Sequence, residues 1–135
     1  MRVRARDAVA VVAGAACAYG ADTAIARLLP RFRAEAAAGG LVTIAAIYPL
    51  ARRRITLDAA LAREAAALAA NSGIVAVGRT LAPNRARALL GFAWAAHAVF
   101  DVVHTTSGDS RLPSWYASMC AGYDLMLGAR LVALD

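Results

Sequence analysis

The chain has 135 residues, of which 61% are hydrophobic, against about 45–50% in soluble globular domains. At this length we expect one domain, without a soluble catalytic module beside the membrane part. Its formal net charge is +6, and all fifteen basic residues are arginines. These arginines stand in short clusters between apolar runs rather than on one helical face, which argues against a nucleic-acid partner and is typical of loops that flank membrane spans.

Five apolar segments separated by proline, arginine and polar breakers predict five helices in one domain, 1–135. In chain order the predicted helices cover residues 7–29, 34–51, 56–81, 85–105 and 113–134. The residues that mark their limits are Pro30, Pro49, Thr56, Pro83, Asn84 and Pro113. Thr56 and Asn84 are the expected N-caps, and proline is favoured in a first helical turn.

Each segment has close to the ~20 residues that cross a bilayer, so the expected fold is all-α: an integral membrane bundle of about five transmembrane helices. Short connections predict antiparallel neighbours. The expected location is a bacterial inner membrane, with the lipid bilayer as partner and a homo-oligomer allowed. A soluble alanine-rich bundle is the alternative, because the longest run without a charge, 36–51, has 16 residues. Against it, residues 8–21 offer no polar stripe.

Several side chains outside the last two helices carry expectations. Cys17 and Cys120 are predicted to be buried free thiols, because both lie in apolar stretches. Glu64 is expected at the membrane interface, together with its neighbours Asp58 and Arg63, and Arg130 is expected to reach toward the headgroups. Asp22 has no basic residue three or four positions away, so it is expected to be protonated, hydrated or paired across the bundle, with the histidines of the fourth helix as the obvious partners.

Ionisable residues are concentrated in the fourth segment. His97, Asp101 and His104 are spaced i, i+4, i+7, which places them on one helical face together with Trp94. The valines 99, 102 and 103 fall on the opposite face, which suits lipid. Because ionisable groups inside a membrane are costly, such a face predicts a functional site or a set of helix–helix contacts.

The fifth segment carries a matching polar arc of Tyr116, Cys120, Tyr123 and Asp124. The turn at 107–112 is expected to fold this helix back onto the fourth helix and to cover the site between them as a lid. His104 then faces Pro113, Asp101 faces Tyr116, and His97 faces Cys120. Asp124 lies deeper, near Trp94. The residues predicted to bind a substrate are Trp94, Trp115, Cys120 and Asp22. Trp115 suits an interfacial belt equally well.

Three interpretations of this hairpin remain open. In the first, His97, Asp101 and His104 bind a divalent metal such as Zn or Fe, with Asp124 or Cys120 completing the shell. In the second, no cofactor is needed and the groups form an acid–base site. In the third, they only form interhelical hydrogen bonds.

The favoured function is proton transfer or hydration on a lipophilic small molecule that enters from the bilayer. His97 or His104 would be the base, Asp101 would orient it, and Tyr116 or Asp124 would be the acid. The alternatives are a proton-coupled carrier or channel, with a relay through Asp22, His97, Asp101 and Asp124, and a structural membrane protein without catalysis.

The stretch 91–128 resembles a family of small bacterial multi-span membrane proteins of uncharacterised function. The residues that carry the resemblance are Trp94, His97, Asp101, His104, Trp115, Tyr116, Cys120 and Asp124. Such proteins often have a second histidine directly after the last one of helix four, where this chain has Thr105, and this difference weakens the metal interpretation. The resemblance implies a membrane location and a shared site, but no activity.

Overall fold

The computed structural model describes residues 5–104 and 110–133, and this part of the chain is a bundle of five α-helices, as predicted. A short 3-10 turn, Pro30–Phe32, joins the first helix to the second. The helices are α1 (Ala5–Leu28), α2 (Arg33–Leu50), α3 (Ala59–Gly78), α4 (Pro83–Val103) and α5 (Tyr116–Ala133).

Three of the helices, α1, α3 and α4, are long and apolar enough to cross a membrane. The other two, α2 and α5, have 18 residues each, which is near the lower limit for a span, and each carries one acidic and one basic residue. Large apolar side chains point outward along the bundle, among them Val9, Val12, Phe92, Val99 and Val103, all more than 60% exposed. A bilayer would cover these side chains, whereas a water-soluble bundle places polar residues there.

The contacts between helices fix their directions. Asp22 of α1 contacts Arg130 of α5, and His97 of α4 contacts Asp124 of α5, so α5 runs parallel to α1 and antiparallel to α4. Consequently α2 and α4 finish at one end of the bundle, where α3 and α5 begin. We call this the His104 end. The opposite end, where α2 and α4 begin, is called the Arg33 end.

Glycines allow the helix backbones of α1, α4 and α5 to touch. A Cβ added to Gly14 would overlap the carbonyl oxygen of Met119, and one added to Gly122 would overlap that of Val11. Between α4 and α5, a Cβ on Gly91 or Gly128 would lie 2.9 or 2.7 Å from the other glycine's carbonyl oxygen. Such close approach through small residues is how helices commonly pack in membranes, where lipid removes the hydrophobic drive for association.

Three expected helix starts were wrong. The N-cap of α3 is Asp58 rather than Thr56, because the Asp58 carboxylate accepts a hydrogen bond from the Leu61 amide. Helix α4 starts at Pro83 without a side-chain cap, and Asn84 lies inside its first turn. Helix α5 begins at Tyr116, after the turn that contains Pro113.

The expected lid falls only partly on described residues, since 107–109 lie outside them, as does Thr105. The described part, from Ser110 onward, lies against the end of α2: Ser110 forms an isolated bridge with Arg52, and the Arg111 amide donates to the Ala51 carbonyl at 2.9 Å. This segment therefore contacts α2 at the His104 end.

Candidate functional site

One imidazole and two carboxylates meet in the interior between α4 and α5. His97 Nδ1 lies 2.9 Å from Asp124 Oδ2 and 3.8 Å from Asp101 Oδ2. All three side chains are at most 1% exposed. His97 and Asp101 come together because they are one helical turn apart, and α5 brings Asp124 to them from the other side. We call these three residues the His97 group.

A residue that the sequence reasoning missed completes this arrangement. The hydroxyl of Tyr48, near the end of α2, donates to Asp101 Oδ1 at 2.6 Å, and Tyr48 is 2% exposed. Asp101 was expected to meet Tyr116, but the ring of Tyr116 instead lies edge-on to Tyr48, with 6.2 Å between centroids. The sequence does show Tyr48 at the end of an apolar run, directly before Pro49, and such a buried phenol could have been considered for the site. Nothing in the sequence indicated that α2 faces α4.

The expected register of the α4–α5 hairpin was wrong by one helical turn. His97 contacts Asp124, whereas Cys120 was expected beside it and Asp124 was expected deeper. The contact between Gly91 and Gly128 fixes this register, because the two backbones fit only where both residues lack a Cβ. Cys120 is buried in the same helix one turn away from Asp124.

His104 lies on the same face of α4 as the His97 group but belongs to a second polar cluster. His104 Nε2 lies 3.1 Å from Glu64 Oε1, and the guanidinium of Arg52 donates to both oxygens of Glu64 at 3.2 and 3.3 Å. The His104–Glu64–Arg52 cluster corrects two expectations. Glu64 is buried rather than interfacial, and His104 pairs with Glu64 instead of joining His97 and Asp101 in one ligand set.

The outer edge of this cluster lies in the connection between α2 and α3. Asp58 accepts hydrogen bonds from the Leu61 amide and the Thr56 hydroxyl and pairs with Arg52 at 2.6 Å; these interactions lower the pKa of the Asp58 carboxyl below its usual value. Burial opposes the charge on Arg52, but Glu64 and Asp58 outweigh it and raise the pKa of the guanidinium. Asp58 and Arg52 therefore remain charged at neutral pH, and their salt bridge lies at the His104 end.

Aromatic rings pack around the two histidines. Phe100, half-buried, stacks on His104 with 4.8 Å between ring centroids and lies 5.5 Å from the His97 ring. Tyr48 approaches Phe100 edge-on at 5.6 Å and His104 at 4.9 Å. Phe100, which is partly exposed, therefore contacts both histidine rings.

Two predicted substrate-binding residues lie away from the His97 group. Trp94 points toward α2, where its indole N–H donates to the Ala37 carbonyl at 3.1 Å, and it shares a small cavity of about 50 Å³ with Asp22 and Tyr123. Trp115 is 44% exposed beside the start of α5.

Cys17, expected to be buried, is exposed on α1.

Asp22 does not pair with a histidine, contrary to expectation. Its carboxylate accepts two hydrogen bonds from Arg33 at 2.7 Å and one from Arg130. The expected partner was wrong because α1 runs parallel to α5, which places Asp22 near the Arg33 end, far along α4 from His97. Arg130 correspondingly turns inward to Asp22 rather than outward to headgroups.

The His97 group has unused hydrogen-bonding capacity. Three of its buried atoms have no partner among the described residues: His97 Nε2, Asp101 Oδ2 and Asp124 Oδ1. One donor atom from each of the three residues lies within 4.8 Å of the others, a spacing that could hold a metal ion. Two further unpartnered atoms, Arg52 Nε and His104 Nδ1, belong to the His104–Glu64–Arg52 cluster. Buried polar atoms without partners are rare in native proteins, and among the described residues three of these five atoms meet in the His97 group, which makes it the strongest candidate site for a proton, an ion or a ligand atom.

The chain matches no family model, no curated protein and no solved structure, so its resemblance to the uncharacterised membrane family stays a prediction.

Proposed function

We propose that this protein is an integral protein of the bacterial inner membrane and that the His97 group performs acid–base chemistry, namely proton transfer or hydration, on a lipophilic small molecule. The observation that carries the proposal is the burial of one imidazole between two carboxylates, with an unpartnered atom on each of the three side chains. Ionisable groups at membrane depth are usually paired or functional.

The charges of the two carboxylates and the imidazole indicate that the His97 group holds bound protons. Two ionised carboxylates and a neutral imidazole would carry a charge of −2, and a protonated imidazole would still leave −1. An uncompensated charge in a dry interior costs several kcal/mol. Without another cation the neutral resting group therefore holds two protons, one on the His97 imidazolium and one on Asp101, and His97 becomes the free base when its Nε2 gives up a proton. A group of this kind can give up and take back a proton with little rearrangement.

The contacts suggest a role for each residue. With its Nδ1–H directed at Asp124, His97 presents the lone pair of Nε2 as the base, and Asp124 fixes the ring and its tautomer. Asp101, whose Oδ1 accepts from the Tyr48 hydroxyl, would act as the acid through its unpartnered Oδ2. The Glu64 carboxylate beside His104 is already paired with Arg52, whereas His97 faces two carboxylates that would stabilise its protonated form, which favours His97 over His104 as the base. Rotation of Phe100 would open the group to a molecule arriving from the lipid side of α4.

Deuterium from heavy water should enter a lipophilic molecule only when His97 is intact. We would incubate proteoliposomes with a bacterial lipid extract in heavy water and follow carbon-bound deuterium by mass spectrometry. Loss of the base should reduce incorporation by about 100-fold or more, so we expect signal with the wild type and with Cys17→Ser, and none above background with His97→Gln.

A second variant distinguishes loss of the acid–base group from loss of the fold. Asp124→Asn keeps a hydrogen-bonding side chain beside His97 but removes the carboxylate, and it should lower incorporation while the thermal unfolding temperature changes little. Equal incorporation by wild type and His97→Gln, with both proteins folded, would contradict the proposed acid–base function.

A divalent metal at the same group is the second candidate, because the three donor atoms lie within 4.8 Å of one another. An ion such as Zn²⁺ or Fe²⁺ would neutralise both carboxylates at once, and imidazole with carboxylate is a donor set that both ions accept. The structure favours Asp124 over His104 as the third ligand, since His104 is paired with Glu64.

Elemental analysis of protein purified in detergent tests this candidate. If the site holds a metal, wild type and His104→Ala should contain close to one equivalent of zinc or iron, and His97→Ala and Asp124→Ala should contain almost none. Absence of both metals from freshly purified wild type, or retention of metal by His97→Ala, would remove this candidate and leave the metal-free site.

A further inference from the structure

Among the described residues, the Arg33 end of the bundle carries arginines that have no acidic partner. A groove of about 530 Å³ lies between the turn after α1 and the first turn of α4, and its charged lining residues are Arg31, Arg33, Arg87 and Glu35. Asp22 binds Nε and Nη2 of Arg33, but neither Arg31 nor Arg87 forms a salt bridge within the described part of the chain. The groove therefore has a net positive charge.

An apolar groove continues directly from this basic one. It has a volume of about 630 Å³, lies between α2, α3 and α4, and shares Ala34 and Glu35 with the basic groove. Its two charged lining residues, Glu35 in the first turn of α2 and Arg79 at the C-cap of α3, stand at the Arg33 end. Beyond them the lining is small and aliphatic, namely Ala38, Gly39, Val42, Val75, Ala86 and Leu90. Its length follows the helices away from the Arg33 end, which is the direction of the bilayer interior in a membrane-spanning bundle.

The surroundings of the basic groove are also apolar. Leu28, Leu29 and Phe32, next to its arginines, are 77, 51 and 46% exposed. The guanidinium of Arg31 lies over the Phe32 ring at 4.7 Å and so is held beside this apolar surface. Guanidinium groups bind phosphate oxygens strongly, and apolar surface beside them suits hydrocarbon chains.

We propose that these two grooves form a binding site for an anionic phospholipid. Its phosphate lies among Arg31, Arg33 and Arg87, and one acyl chain lies in the groove lined by Gly39, Val75 and Leu90. The site uses none of the residues of the His97 group and stands independently of the acid–base function. A free phosphate ion would satisfy the arginines alone, but it would leave the apolar groove unfilled.

Retention of lipid by the purified protein tests the headgroup part. We would exchange the detergent-purified full chain against equal amounts of phosphatidylglycerol and phosphatidylcholine and count bound lipids by native mass spectrometry. The wild type should retain phosphatidylglycerol preferentially. In Arg31→Gln/Arg87→Gln this preference should fall by about 25-fold, about fivefold for each arginine removed. The matched control, Arg53→Gln/Arg54→Gln, removes two exposed arginines near the His104 end and should keep it.

Filling the apolar groove tests the chain part. A Cβ on Gly39 meets nothing within 4 Å, so Gly39→Leu enters the groove without disturbing the fold, and Gly73→Leu on α3 is the control because its Cβ is equally unobstructed. Gly39→Leu should reduce retention of long-chain phosphatidylglycerol and leave a short-chain form unaffected, whereas Gly73→Leu should change neither.

Three results would overturn the proposal. The first is equal retention of the two phospholipids by the wild type, and the second is equal loss of preference in both double arginine variants, which would indicate only general charge attraction. The third is stabilisation by inorganic phosphate as large as that by phosphatidylglycerol, which would identify a free-anion site.

Discussion

Adding a single methyl group at Gly122 should strongly destabilise the bundle. Gly122→Ala places a Cβ where the carbonyl oxygen of Val11 lies, and Gly14→Ala does the same against the carbonyl oxygen of Met119. Both obstacles are helix backbone, which cannot rotate away as a side chain can, so α1 and α5 must separate. We expect each substitution to lower the free energy of unfolding by about 3 kcal/mol, the upper end of the usual cost of overpacking.

The same substitution elsewhere in α1 should have the opposite sign. A Cβ on Gly20 meets nothing within 4 Å. Gly20→Ala should therefore raise the free energy of unfolding by up to about 1 kcal/mol, because alanine is the better helix former. The measurement is reversible unfolding in mixed micelles, followed by circular dichroism. Equal effects of Gly14→Ala and Gly20→Ala would show that α1 does not pack against α5 through Gly14.

Truncating the Asp124 side chain to alanine should be the next most damaging change. Asp124 is completely buried, and Asp124→Ala leaves the His97 imidazole without its Nδ1 partner and Asp101 as the group's single acid. Breaking a buried pair by removing one partner typically costs about 3–5 kcal/mol. We expect about 3 kcal/mol here, because the neighbouring Asp101 can accept part of the interaction at a modest change in the His97 ring orientation.

A double-mutant cycle separates this interaction from simple loss of volume. The cost of Asp124→Ala/His97→Ala should be smaller than the sum of the two single costs by about 1–3 kcal/mol, since the partner left alone in each single variant is also removed. Cys120→Ala, which truncates a buried side chain of α5 one turn away, should be additive with His97→Ala. Strict additivity of Asp124→Ala and His97→Ala would show that the two side chains do not interact.

Part of the His97 group could be predicted from the sequence. The contact between His97 and Asp101 follows from their spacing on one helix, and the sequence predicted it, together with the outward face of Val99, Val102 and Val103, which the structure confirms. Asp124 was identified as a member of the site, but its depth was misplaced. The register of two helices depends on where their surfaces fit, and here the fit is set by Gly91 and Gly128.

Partners from distant segments could not be predicted. Tyr48 and Glu64 reach α4 from α2 and α3, and the sequence contains no periodicity that links one helix to another. Glu64 was placed at the interface because an acidic residue near a helix start usually lies there. Asp22 was assigned a histidine partner because no cation lies near it in sequence, whereas Arg33 and Arg130 reach it only after the chain has turned and α5 has docked.

The amino-acid sequence by itself determined the all-helical fold, the apolar surfaces that suit a bilayer and the polar face of α4. Each of these depends on local composition and on a repeat of 3.6 residues, both of which can be counted along the chain. The tertiary structure decided which polar groups share one site. In the folded bundle Asp124 pairs with His97, Tyr48 donates to Asp101 of the same group, and His104 pairs with Glu64. Asp22 lies near the opposite end. The physical reason is that helix pairing depends on the shapes of whole surfaces, above all on the glycines that let backbones touch.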